Sequence, residues 1–259
     1  MGGHARRDLR TARGVRVVRD FTVGRPDFWF SARNGLIDAL LQKTARLAVR
    51  RHGRALRVLV VGPGTGDEIY LARQYGSVTV LDTSEQVLES IPDDLVALKV
   101  CGDVQHQHNF RMEEGMKFDV VMAFDVLEHV KNDSVAAINI HSWLKEGGSF
   151  IGSVPACPSL FGSHDRYWGH HRRYERKDVE ELLSHFGRVK VGYWNSLLFF
   201  PFAALRLLQK KGSGAHDNDP PFIIGFVLRA IMGFENMLLR HGHSFKRGLT
   251  VIFHATKVK

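Results

Sequence analysis

Between residues 57 and 154 the chain alternates short apolar runs with stretches in which apolar residues recur every three or four positions. Arg57-Val58-Leu59-Val60-Val61 is an apolar run that stops at Gly62, the pattern of a parallel strand buried on both faces. Residues 68–75 have helical spacing, 77–81 form a second strand ending at Asp82, and 84–91 form a helix that Thr83 or Ser84 can cap. Further strands are expected over 95–100, over 118–123 ending near Asp125, and over 149–154 ended by Pro155. A helix over 134–144, stopped by Gly147-Gly148, lies between the last two. Ahead of this block, residues 26–49 place Leu36, Ile37, Leu40, Leu41 and Leu47 at helical spacing. Behind it come a helix over 177–186, a strand over 188–193, apolar helical segments over 196–211 and 222–240, and a strand over 249–254. The two apolar segments are joined by a Gly-, Asp- and Pro-rich loop over 211–221.

Strands alternating with helices specify an α/β sheet with right-handed crossovers. In such sheets ligands bind outside the carboxyl ends of the strands. The chemically distinctive residues fall at those ends: Gly62 to Gly66 after the first strand, Asp82 after the second, Asp103 after the third and Asp125 after the fourth. A chain of 259 residues with 44% hydrophobic content supports one sizeable core, with or without an appended subdomain. We therefore divide it into a basic arm over 1–25 and one domain over 26–259, which contains a helical insertion over 196–248.

The loop Val61-Gly62-Pro63-Gly64-Thr65-Gly66-Asp67 has glycine at every second position. Glycine allows a tight turn and close approach of a ligand to the backbone. The dinucleotide fingerprint would place a glycine at position 67, where Asp67 stands, and no Walker lysine follows. An acid opening the next helix repels a pyrophosphate and suits a cationic, phosphate-free ligand better. Asp82 can accept hydrogen bonds from both hydroxyls of a ribose, and Asp103 can reach an adenine amino group. Each residue alone also reads as a plain turn or helix cap.

Together these segments resemble the class I S-adenosylmethionine (SAM)-dependent methyltransferases, especially a small-molecule branch that includes enzymes of the ubiquinone-biosynthesis type. The resemblance rests on Val-Leu-Val-Val-Gly-Pro-Gly-Thr-Gly, Val-Leu-Asp82-Thr83-Ser, Gly102-Asp103-Val104, Phe118 through Phe124-Asp125-Val-Leu127-Glu128-His129-Val, and Leu144-Lys-Glu-Gly-Gly148. It implies a doubly wound, Rossmann-like, mostly parallel seven-stranded sheet with helices on both faces and an antiparallel last strand. It implies SAM as cofactor and S-adenosylhomocysteine as product. Gly62, Gly64 and Gly66 would cradle the methionine part, Asp82 with Thr83 the ribose, and Asp103 with Val104 the adenine. Phe124, Asp125 and Leu127 would line the sulfonium side. Proline at position 63, where the family commonly has a small residue, fits a turn with negative φ.

Methyl transfer from a sulfonium needs alignment and water exclusion, and a base only where the acceptor must lose a proton. The acceptor side is read from Phe161-Gly-Ser-His164-Asp165-Arg166-Tyr167-Trp168-Gly-His170-His171-Arg172-Arg173-Tyr174. Its candidate catalytic residues are His170 and Tyr167, together with His129. The plainer reading is a folded loop with Arg172 and Arg173 on its surface and the histidines satisfied by backbone; His129 would then cap a helix. A similar Gly-His-x-Arg-Arg-Tyr loop closes over the active site in relatives of this branch, and the element matching residues 27–34 covers their cofactor. Phe28, Trp29 and Phe30 also read as a helix-to-sheet packing patch.

The reading is thus of an enzyme that methylates an O, N or C atom of a small-molecule acceptor, apolar or anionic. A non-catalytic SAM-fold binding or scaffold protein is the alternative, and glycine spacing argues against a nicotinamide-dependent oxidoreductase. The formal charge of +9 points to an anionic partner. Six arginines lie within residues 1–19, and no zinc-finger, RNP or helix-turn-helix pattern favours nucleic acid. The apolar insertion allows peripheral membrane contact, but the longest uncharged stretch late in the chain, fifteen residues over 191–205, falls short of the roughly 20 that span a bilayer. Cys101 and Cys157 form neither a disulfide framework nor a metal cluster, no metal is expected, and the setting reads as reducing and cytoplasmic. A monomer or a homodimer is expected.

Overall fold

The computed structural model describes residues 9–10, 16–17, 28–52, 55–64, 66–106, 116–208 and 221–258. Of the basic arm, only β1 (Leu9–Arg10) and β2 (Arg16–Val17) fall within these, as a short antiparallel pair. The interhelical loop up to residue 220 and Thr65 lie outside the described residues.

Helix α1 (Phe28–His52) leads into β3 (Leu56–Val61), α2 (Asp67–Arg73), β4 (Gly76–Asp82), α3 (Glu85–Ser90) and β5 (Leu98–Cys101). Then follow β6 (Phe118–Phe124), α4 (Asp133–Trp143), β7 (Leu144–Pro155), α5 (Ser163–Tyr167), α6 (Arg176–Leu182) and β8 (Gly187–Trp194). Helices α7 (Phe199–Leu208) and α8 (Phe222–Arg240) precede β9 (Thr250–Lys257). One seven-stranded sheet runs β5-β4-β3-β6-β7-β9-β8. Strands β3 to β7 pair parallel, and β9 lies antiparallel between β7 and β8.

Period-two alternation explains the layers. On β3, Val58 and Val60 enter one core with Ile37, Leu41, Ile69 and Leu88; Leu59 and Val61 enter the other with Ile140, Phe150 and Phe186. Every residue of the central strand β6 is buried, as a strand covered by helices on both faces must be. At the amino end of the strands Asp119 accepts from the Arg57 amide (2.8 Å) and pairs with Lys145 (2.9 Å), tying three strands together far from the candidate site.

The structure shifts several expected boundaries. The third strand starts at Leu98 instead of residue 95, because Pro92-Asp93-Asp94-Leu95 closes a 3₁₀ turn. Strand β7 begins at Leu144, five residues before Ser149, because Gly147 (φ 75°) absorbs a register shift between Leu144 and Ser149. The segment expected from 196 becomes helical at Phe199, and the last strand extends to Lys257. Phe28 and Trp29 pack with Ala32, Leu36, Leu198 and Met232, with the Trp29 and Trp194 rings 5.1 Å apart, so these two side chains take the packing role. Ser84, and not Thr83, caps α3, its hydroxyl accepting from the Val87 amide.

Three non-glycine residues among those described have positive φ: Asp125 (57°), Cys157 (60°) and Asn195 (57°). They follow β6, β7 and β8 on the same rim of the sheet. Such backbone costs about 1–3 kcal/mol per residue and gathers where a site needs it.

Candidate functional site

The rim begins with the glycine loop. Gly62 (φ 61°) donates its amide to the Leu81 carbonyl (2.8 Å). A Cβ there would stand 2.8 Å from Val126 Cγ2. Gly64 (φ 50°) would meet nothing closer than 3.9 Å, so its backbone borders open space. Gly66 (φ 85°) starts α2, whose first residues Asp67 and Glu68 are buried.

Those acids explain a residue that the sequence reading leaves without a role. Arg33 of α1 is buried and places Nη2 2.6 Å from Glu68 Oε1 and Nε 3.1 Å from Asp125 Oδ2. It also donates to the Phe124 carbonyl (3.4 Å). Although burial opposes its charge, the two carboxylates outweigh that and hold the guanidinium protonated. Glu68 Oε2 is buried with no partner. The available signal was a single cation on an otherwise apolar helix face, with no acid three or four residues away to pair with it.

The predicted cofactor residues separate into two groups. Asp82, at the end of β4, keeps a partly accessible carboxyl; Oδ1 accepts from the Ser84 amide (2.8 Å), and burial raises its pKa. Asp103 follows β5 and accepts from the Gln105 amide (2.8 Å), with His106 at 3.4 Å. Asp125 accepts from Ser153 Oγ (2.9 Å) beneath Arg33. Thr83 is exposed beside Asp82. Val104, Phe124 and Leu127 instead send their side chains into the core, and only their backbone remains for the rim. The Val104 carbonyl already accepts from Asn139 (2.8 Å) and that of Leu127 from the Tyr174 hydroxyl (3.1 Å).

On the acceptor side, the structure joins His129 and His170, whose rings meet edge to face at 4.6 Å. His170 Nδ1 lies 3.0 Å from Asp165 Oδ1, which also accepts from Arg173 Nε (2.8 Å), while Oδ2 accepts from the Gly162 amide (2.9 Å). These donors outweigh burial and hold the Asp165 carboxyl well below the usual carboxylate range. An anionic Asp165 accepts a proton donated from Nδ1, so in the neutral ring the lone pair lies on Nε2. His129 is pushed down to about 4, by desolvation first and by His170 second, so it is neutral at physiological pH. It does not cap α4; Asn132 does, accepting from the Val135 amide (3.2 Å).

Arg172 and Arg173 are anchors and not a surface pair. Arg173 is buried against Asp165, and Arg172 pairs with Asp133 (2.8 Å), which Tyr174 also contacts (2.9 Å). Tyr167 is 41% exposed and packs edge-on against Trp168. Glu128 is buried under the pair; burial and Asp125 raise its pKa well above the usual range, and its Oε2 has no partner. Glu128, His129 and His170 each present one ligand atom within 4.8 Å of the others, a spacing that a divalent cation could bridge.

A model of the family described as a methyltransferase domain matches residues 31–190. The chain belongs to that family. The fold is the Rossmann-like one of class I SAM-dependent methyltransferases, and solved methyltransferases share it. The plantazolicin methyltransferase BpumL in complex with S-adenosylhomocysteine superimposes with a TM-score of 0.55 at 13% identity, over 88% of this chain and 85% of that one. BamL, another plantazolicin methyltransferase, in complex with a triazolic desmethylPZN analog and S-adenosylhomocysteine, gives 0.53 at 16% identity over 88% and 86%. The methyltransferase from the Haloferax volcanii complex with the Trm112 activator gives 0.51 at 17% identity over 91% and 97%. At these identities the likeness is one of fold. No curated protein matches the chain. Among the described residues no helix is long and apolar enough to cross a membrane.

Proposed function

We propose that this methyltransferase transfers a methyl group from SAM to an O, N or C atom of a small-molecule acceptor held between the glycine rim and the loop over 163–174. The observation that carries the reading is the Asp165–His170–His129 array, a base with an oriented tautomer standing on the same rim as the glycine loop.

The chain's own residues fit the cofactor. Gly62 and Gly64 present backbone where a Cβ would intrude or close open space. Arg33 supplies a cation for a carboxylate, and Glu68 and Asp125 supply anions for an ammonium, so the rim is charge-matched to an amino-acid zwitterion. Asp82 offers acceptors for ribose hydroxyls, and Asp103 and the Val104 backbone border the base, with Thr83 at the outer edge. When bound, SAM supplies an electrophilic methyl with a neutral thioether leaving group. His170 Nε2 takes a proton from the acceptor atom, Asp165 stabilises the imidazolium, and His129 excludes water from one side. Tyr167 and Trp168 form an aromatic edge at the mouth.

The test is calorimetry with S-adenosylhomocysteine, followed by transfer of radiolabelled methyl to fractionated extracts. Asp82→Ala is expected to weaken binding at least tenfold. Unchanged affinity would remove the cofactor assignment. Cofactor binding with no labelled acceptor in any fraction would favour the scaffold alternative.

The unpartnered Oε2 of Glu128 beside two histidines supports a second reading, in which Glu128, His129 and His170 hold a divalent cation that binds the acceptor. Chelation distinguishes the two: transfer that survives it belongs to the proton-relay reading, and transfer restored by added metal belongs to this one.

A further inference from the structure

Helix α8 has its polarity inverted. Its buried face carries Glu235 and Asn236 with Met232 and Leu228, while its solvent face is apolar. Ile223, Phe226, Val227, Phe234 and Met237 recur at helical spacing there, with Ile223 75% and Phe226 67% exposed. Hydrogen bonds lock this orientation. Glu235 accepts from the amides of Ser196 and Leu197 (2.9 and 3.1 Å), and Asn236 joins Trp194 Nε1 to the Ala32 carbonyl (2.8 Å each). Rotating α8 to hide its stripe would carry Glu235 and Asn236 outward and leave Trp194 Nε1 and the Ser196 and Leu197 amides without acceptors. Helix α7 likewise exposes Phe200 (74%), Leu205 and Leu207. Monomeric soluble proteins rarely expose so continuous an apolar surface without a partner for it.

We infer that the α7–α8 face docks on an anionic lipid surface, its aromatic and aliphatic side chains entering the acyl boundary and its arginines facing the headgroups. Charge selects this occupant. Residues 196–248 carry seven Lys/Arg and three Asp/Glu, and one of those acids, Glu235, is buried. Arg229 and Arg240 line a groove of about 350 Å³ between α1 and α8, beside Met237 of the stripe, and Arg240 also pairs there with Asp38 (3.1 Å). A basic, apolar helix face of this kind lies in a membrane interface. A second copy of the chain would bring its own charge of +9 against this one. The connecting segment 209–220 is Gln-Lys-Lys-Gly-Ser-Gly-Ala-His-Asp-Asn-Asp-Pro, with too little apolar surface to cover the face. Helix α7 also packs on the 3₁₀ turn Pro158–Leu160 that leads into the acceptor loop. Resting on the function proposed above, docking sets that loop at the lipid boundary.

The experiment is co-sedimentation of the full chain with phosphatidylcholine vesicles containing one quarter phosphatidylglycerol, and with pure phosphatidylcholine vesicles, at low and high salt. The expected result is strong partition to the anionic vesicles, weakened by salt and by removal of phosphatidylglycerol. The double substitution Ile223→Ser with Phe226→Ser, both on the solvent face, is expected to reduce partition at least tenfold. Binding of S-adenosylhomocysteine by the same variant, read by thermal shift, checks that it is folded and reports on the cofactor reading separately. A wild-type chain that stays in the supernatant would overturn the inference. So would a folded variant that sediments as well as wild type, or a wild-type dimer in analytical ultracentrifugation that the double substitution dissociates.

Discussion

The two halves of the strand-end rim are built by opposite means. The half that we propose holds the cofactor is made of backbone, three glycines with positive φ, and of single carboxyls, each placed by the end of its own strand. The half that we propose faces the acceptor is made of side chains that hold one another. His170 is oriented by Asp165, Asp165 is held by Arg173, and His129 arrives from a segment about forty residues earlier. A backbone-built site tolerates replacement of its surroundings but not of its glycines. A relay built from side chains fails when any member loses its partner.

The largest expected effect tests the relay. His170→Asn should lower methyl transfer by about 10²- to 10⁴-fold, the usual worth of a positioned base, while S-adenosylhomocysteine affinity stays within twofold. An equal loss in affinity would show that the two halves are one unit. Next, Arg173→Met should destabilise the fold by about 3–5 kcal/mol in urea titration, because it leaves the buried Asp165 carboxylate short of a partner. Adding Asp165→Asn to that variant should recover part of the loss.

Acid should act on histidines outside the relay. His164 and His254 are both pushed down to about 4, by burial first and by nearby Arg206 or Lys190 second. The unfolded chain, with ordinary histidines near 6.5, therefore binds more protons between those values. Their contribution to stability is present above about 6.5 and is lost as pH falls toward 4. The melting temperature should drop over that window, and the drop should shrink in His254→Gln.

The smallest effects compare two glycines. Gly62→Ala meets Val126 and an unfavourable φ, and should weaken cofactor binding about tenfold through roughly 1–2 kcal/mol of strain. Gly233→Ala, in α8 with nothing within 4 Å of the new Cβ, should stabilise the chain by about 0.5–1 kcal/mol. Gain at Gly62 or loss at Gly233 would contradict the division between a backbone-built rim and an ordinary helix.

The strands, their order along the chain and the glycine rim were legible in sequence because each depends on neighbours a few residues away. Strand boundaries moved where a turn intervened, at Asp93–Leu95 and Gly147. Asp82 and Asp103 stand at strand ends as expected, because the apolar runs before them mark where the strands stop. Arg33 and Asp165 were not given roles, since their partners, Asp125 and Arg173, are neighbours only in space. Val104, Phe124 and Leu127 turned out to face the core, because the same apolar residue fits a core or a ligand wall.

What the sequence alone determined is the period of the elements and the places where backbone must bend, because sterics and burial on two faces act locally. Tertiary structure decided which charges meet, which histidine keeps its lone pair, and that α8 turns its polar residues inward and its apolar stripe to solvent. Those outcomes depend on packing between segments up to about two hundred residues apart, such as Asn236 with Ala32, and no spacing along the chain encodes them.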